Sequence, residues 1–128
     1  MKFFLDNMIS PKFARALREV GKDVMALRER FPEDTSDKKW VTEISRESAV
    51  VITVDRRIRT RPHERQALSQ GKITIFFLGR FFAKTRFWDQ FVWLVRHWSR
   101  IEEMASGLAR GTHMLVKQNG KMDVLPRV

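Results

Sequence analysis

Cysteine is absent from all 128 residues of the chain. Disulfides, thiolate chemistry and thiolate-ligated zinc are therefore excluded, and an intracellular protein is the better fit. Long apolar runs are absent as well. No stretch approaches the roughly 20 residues that span a bilayer, and the opening Met1-Lys2-Phe3-Phe4-Leu5-Asp6 places an acid where a secretory leader would continue its apolar region. The expectation is a cytoplasmic chain with no membrane partner. Histidine is scarce: His63 reads as a surface or turn residue rather than a general base, and His97 and His113 have no partner at ligand spacing. Internal repeats, low-complexity tracts and linkers are missing. A single domain over residues 1–128 is expected, large enough to bury a core and too short for two. Acidic residues are outnumbered: 15 Asp and Glu face 25 Lys and Arg, a net charge of +10. Such a field favours polyanions, of which nucleic acid is the commonest.

What is present is an alternation of short apolar runs with helical segments. Phe3-Phe4-Leu5 and Val50-Val51-Ile52-Thr53-Val54 read as strands. The second is nearly continuous in apolar character, as a strand covered on both faces should be. Between them, Ser10-Pro11 signals a helix start, Phe13, Leu17 and Val20 recur at helical spacing, and Gly21 follows as a cap. A strand is predicted over Lys22–Leu27, then a loop over Arg28–Ser36 ending in a cap at Thr35 or Ser36. The helix after it has Trp40, Val41, Ile44 and Ser48 as its inner face. A short helix over Pro62–Gln70, closed by Gly71, leads to a strand over Lys72–Leu78 ended by Gly79. The longest helix is predicted from Thr85 to Ser106, with Phe87, Phe91, Leu94, Trp98 and Ile101 facing the core. Trp88, Val92 and Val95 form an adjoining row suited to a subunit contact. Asn119-Gly120, between two short apolar runs, signals a two-residue hairpin. Together these elements predict an α/β fold, with a mostly parallel central sheet, helices on both faces and an antiparallel C-terminal hairpin.

The first and third strands each run into an aspartate, Asp6 and Asp55. If the strands are neighbours in a parallel sheet, both carboxylates emerge at its carboxyl edge, where open α/β folds place their ligands. Asp37, in the first turn of a helix, is a third candidate. Read alone it also complements the helix macrodipole, and the strand-end pair could equally start turns. Mg²⁺ and Mn²⁺ prefer such oxygen donors and retain waters, so two or three aspartates and a substrate phosphate are sufficient to hold one. Arg56, Arg57, Arg59, Arg61 and Arg65 follow Asp55 directly. They would set guanidinium forks for phosphates beside the acids, or form a solvated basic segment.

Taken in order, these motifs resemble a known family. Phe4-Leu5-Asp6 leads to Ser10-Pro11-Lys12-Phe13-Ala14-Arg15-Ala16-Leu17. Glu33-Asp34-Thr35-Ser36-Asp37-Lys38-Lys39-Trp40, Val51-Ile52-Thr53-Val54-Asp55-Arg56-Arg57-Ile58-Arg59 and Arg61-Pro62-His63-Glu64-Arg65 follow. The set is similar to a PIN-like domain of the VapC toxin type over about Met1 to Leu78. The resemblance implies a three-layer α/β/α fold and a metal-dependent ribonuclease, often the toxin of a toxin–antitoxin pair. Carried over residue by residue, it implies that Asp6, Asp37 and Asp55 hold Mg²⁺ or Mn²⁺ and that RNA is the substrate. An acidic antitoxin protein is then an expected partner, and a homodimer through the Phe- and Trp-rich helix 85–106 another. Many PIN domains carry a fourth acid after the fourth strand, where Leu78-Gly79-Arg80-Phe81-Phe82-Ala83-Lys84 has none. Asn7 stands where related sequences often have an acid. Fewer carboxylates leave a catalytically silent RNA-binding or protein-interaction module as the alternative.

Overall fold

In the computed structural model, which describes residues 1–128, strands and helices alternate through most of the chain. Strand β1 (Lys2–Leu5) leads through α1 (Pro11–Glu19) to β2 (Val24–Ala26) and the single-turn α2 (Leu27–Arg30). Next come α3 (Asp37–Ile44), β3 (Ala49–Thr53), a 3-10 turn (Arg56–Arg59), α4 (Pro62–Gly71) and β4 (Thr74–Leu78). The short α5 (Phe81–Lys84), the long α6 (Phe87–Gly107), β5 (His113–Val116) and β6 (Met122–Val124) complete the order. All six strands join one sheet in the order β2-β1-β3-β4-β5-β6, parallel throughout except for the final β5–β6 pair. No helix is long and apolar enough to cross a membrane.

Side chains alternate across a strand, so each buried run divides between two cores. Phe3, Leu5, Val50, Ile52, Phe76 and Leu78 pack with α1 and α6 on one face. Phe4, Val51, Ile75 and Phe77 pack with α3 and α4 on the other. Helices therefore cover both faces, as the near-continuous apolar runs predict, and the fold has three layers. Phe76 is fully buried in the middle of the sheet. Phe76→Ala should cost about 3–5 kcal/mol, read as a lower urea midpoint at unchanged m value.

Local departures from the sequence expectation have local causes. Helix α1 ends in Gly21 at φ +95°, with the Gly21 and Lys22 amides donating to Arg18 and Leu17 carbonyls, but Val20 sits at the cap and turns outward to solvent. The expected loop from Arg28 begins instead as α2. Its Glu29 reaches back to accept from the Ala26 amide (2.8 Å) and pairs with Arg18 of α1 (2.8 Å), a tertiary contact no local pattern shows. Ser36 caps α3 as predicted, whereas Ser48 lies beyond the helix and is exposed. Gly71 is the last residue of α4 rather than its left-handed cap, and Lys72 takes that conformation at φ +50°. The glycine serves close approach here, since a Cβ on Gly71 would lie 2.8 Å from Ser45 Cβ. The hairpin loop has three residues, not two. The Lys117 amide donates to the Lys121 carbonyl, the Gly120 amide donates to the Lys117 carbonyl, and only Gly120 has positive φ, so a turn followed by a left-handed glycine replaces the tighter form. That loop docks on α6, where Trp93 Nε1 donates to the Gln118 carbonyl and Gly120 packs against the His97 ring.

In α6, Leu94, Trp98 and Ile101 are core residues as predicted. Phe87 is half exposed, although its ring lies 4.8 Å from that of Phe13. Trp93, from outside the predicted stripe, is buried, while Trp88 is 71% exposed.

Candidate active site

The chain leaves β1 for β2 on one side and later returns to β3 on the other, which makes the β1–β3 boundary the switch point of the sheet. Asp6 follows β1 there, its amide donating to the Ile52 carbonyl and prolonging the ladder with β3 (3.0 Å). The residue is only 7% exposed. Its Oδ2 accepts from Thr53 Oγ1 (2.7 Å), and Thr53 Oγ1 in turn accepts from the Asp55 amide (3.0 Å). One hydroxyl thus ties the two strand-end aspartates together. Thr53 is a residue that a search for acids passes over. The available signal is its position two before Asp55, on the same side of an extended segment.

Asp37 arrives from the first turn of α3. Its Oδ1 accepts from Trp40 Nε1 (2.9 Å) and its Oδ2 from an Arg61 guanidinium nitrogen (2.8 Å). The same nitrogen donates to Asp55 Oδ2 (3.1 Å), so Arg61 bridges the two carboxylates. Asp55 caps the 3-10 turn, its Oδ1 accepting from the Arg57 amide (3.0 Å) and from Arg57 Nε (2.9 Å). The structure therefore brings Asp6, Asp37 and Asp55 to one edge. In this arrangement no three acidic, histidine or cysteine side chains are grouped closely enough to hold a metal ion.

Electrostatics separate Asp6 from Asp55. Burial pushes the Asp6 carboxyl up; hydrogen bonds from Thr53 and the Asn7 amide oppose this, and the charges of Asp37 and Asp55 add to it. Burial also raises Asp55, but the hydrogen bonds and charge of Arg57 and the charge of Arg61 outweigh it and leave the carboxyl below its ordinary range. The donor set is chemically suited to a hard divalent cation. Asn7 Oδ1, one residue beyond Asp6, is buried with no donor, a further oxygen without a partner. Arg61 is the cation in place between Asp37 and Asp55.

The arginines after Asp55 differ in what they already touch. Arg57 and Arg61 are paired with the aspartates. Arg59 donates to the Pro126 carbonyl and lies over the Phe77 ring, with its Nε buried and unpartnered. Arg56 and Arg65 are exposed and form no ion pair. Arg80, in the turn after β4, lines the same groove as Asp55 and Arg56. None of the histidines joins the site. His63 is exposed on α4, and His113 is buried in β5, its pKa pushed down to about 4 by burial and by Arg59.

The profile of the family described as PIN like domain matches residues 1–80, from β1 through the end of β4. No curated protein and no solved structure matches the chain. The matched segment contains Asp6, Asp37 and Asp55, the β1–β3 switch point and the arginine-bearing turn, while α6 and the hairpin lie outside it. With residues 1–80 of the 128 matched, more than half its length, the chain belongs to the PIN-like domain family.

Proposed function

We propose that this protein is a Mg²⁺- or Mn²⁺-dependent endoribonuclease of the VapC toxin type, acting in the cytoplasm and held in check by an acidic antitoxin protein. The observation that carries the reading is the convergence of Asp6, Asp37 and Asp55 at the switch point, next to a turn rich in arginine. Asp6, Asp37 and Asp55 would hold the ion, and the chemistry it supplies there is Lewis acidity toward a phosphodiester and activation of water. The chain's own residues do the positioning. Thr53 fixes the Asp6 carboxylate, Trp40 fixes Asp37, and Arg57 orients Asp55. Arg56, Arg57, Arg59, Arg61 and Arg65 would receive substrate phosphates, and the same arginines suit an acidic antitoxin.

The test is an RNA pool incubated with the protein in Mn²⁺, in Mg²⁺ and in EDTA. Metal-dependent fragments are expected, and intact RNA in every condition would contradict the reading. One observation favours a second reading, a silent RNA-binding module: Arg61 already pairs with Asp37 and Asp55, and the segment from Leu78 to Lys84 supplies no further acid. Binding without cleavage, unaffected by Asp55→Asn, would support that alternative.

The row formed by Trp88, Val92 and Val95 on α6 supports a homodimer contact, because a tryptophan 71% exposed beside an exposed valine leaves a large apolar surface in water. Trp88→Lys should convert a dimer to a monomer by light scattering without changing the circular dichroism. A wild-type protein already monomeric at high concentration would refute this contact.

A further inference from the structure

Beside Asp55, the carboxyl ends of β3, β4 and β5 enclose a groove of about 710 Å³. Its lining includes Arg56, Arg57, Arg59 and Arg80, and Asp55 is its only acid. That acid is already paired with Arg57 and Arg61. Arg56 and Arg80 are left exposed with no ion pair and no side-chain hydrogen bond. Burial lowers the pKa of Arg59, and the charges of Arg56 and Arg65 lower it further, so these guanidiniums repel one another with no carboxylate to relieve them. A cluster of like charge in a partly enclosed groove is stabilised by a multivalent anion, and guanidinium forks match phosphate geometry.

Arg80 comes from a different element than the others. It follows Gly79, whose amide donates to the Val116 carbonyl (3.0 Å) and where a Cβ would lie 3.1 Å from Phe81 Cδ1. The turn is thus tied to β5 and closely packed, which gives Arg80 a fixed origin at the rim of the groove. We propose that Arg80 and Arg56 form a phosphate subsite in this groove, holding the backbone of an RNA chain whose neighbouring phosphodiester lies at the aspartates. The inference rests on the RNA reading above and adds a residue and a location to it.

The experiment is fluorescence anisotropy with a labelled 12-nucleotide single-stranded RNA in EDTA, over a series of salt concentrations, so that cleavage plays no part. Arg80→Gln and Arg56→Gln should each weaken binding several-fold. Each should also reduce the slope of log affinity against log salt by about 0.7, the value for one phosphate contact on a single strand. Arg100→Gln removes an equal charge from an exposed position on α6 and should change neither quantity beyond error. Wild-type binding that Arg80→Gln alters no more than Arg100→Gln does would overturn the subsite alone. A wild-type protein with no RNA affinity would contradict the RNA reading itself, and the subsite with it.

Discussion

Asp6→Asn should abolish metal-dependent RNA cleavage and, in the same preparation, raise the melting temperature of the metal-free protein. The two effects have one origin. Asp6 is buried and its carboxyl is pushed up by that burial, so the ionised form is costly to the fold. Between the ordinary carboxylate range and the raised folded value, the native state binds more protons than the unfolded chain, and the Asp6 contribution to stability declines as pH rises through that window. Asparagine has no charge to desolvate and can still accept the Thr53 hydroxyl. A gain of about 0.5–2 kcal/mol at neutral pH is expected, typical of relaxing a functional site, and it should vanish at pH values below the ordinary carboxylate range. Cleavage should fall by at least about 10², the scale for losing one preorganised electrostatic partner of a developing charge. Asp55→Asn makes the contrast. Its carboxyl sits below the ordinary range because Arg57 and Arg61 outweigh its burial. Ionised Asp55 therefore contributes stability that is present above the ordinary range and lost as pH falls through the lowered folded value. That variant should lose cleavage and stability together. A melting temperature that falls in both variants would mean that Asp6 is an ordinary structural acid.

Arg61→Gln should tighten Mn²⁺ binding about tenfold, a change of about 1.4 kcal/mol, while lowering the stability of the metal-free protein. Its guanidinium bridges Asp37 and Asp55 at 2.8 and 3.1 Å, and under the proposed function it is the cation that a metal ion would displace. Arg61 is partly exposed, so the attraction it exerts is screened and a modest change is appropriate. Without it, Asp37 loses its ion pair and Asp55 keeps only Arg57, and added Mn²⁺ should restore the lost stability by mass action. Titration calorimetry reads the affinity and a melting curve with and without Mn²⁺ reads the compensation. Unchanged or weaker Mn²⁺ binding would mean that Arg61 is a partner of the metal site and not its competitor.

Much of this architecture is legible in the sequence because burial leaves a pattern. The run Val50–Val54 could be recognised as a central strand because both its faces are covered, and the switch-point position of Asp6 and Asp55 follows once β1 and β3 are taken as neighbours. Asp37 alone is indistinguishable from a helix-dipole acid, and its place at the site became recognisable through the ordered motifs that surround it. What the sequence leaves open is pairing. Five arginines in a row of ten residues advertise charge but not partners, and only the structure separates Arg57 and Arg61, paired with acids, from the unpaired Arg56 and Arg65. The same holds for α2, stabilised by Arg18 from another helix, and for Gly71, where Ser45 rather than backbone conformation requires the missing side chain. Thr53 shows a further reason: a hydroxyl in a strand is ordinary until the residues on either side of it in space are known.

The central claim is that three aspartates from three separate elements form one metal site, closed by an arginine in the ion's absence. Its most direct test is a crystal structure of the protein grown with Mn²⁺, with the ion located by anomalous scattering. The account predicts a peak among Asp6, Asp37 and Asp55, with Arg61 withdrawn from the two carboxylates it bridges. No peak at that edge at saturating Mn²⁺, with Arg61 still bound to Asp37 and Asp55, would contradict it.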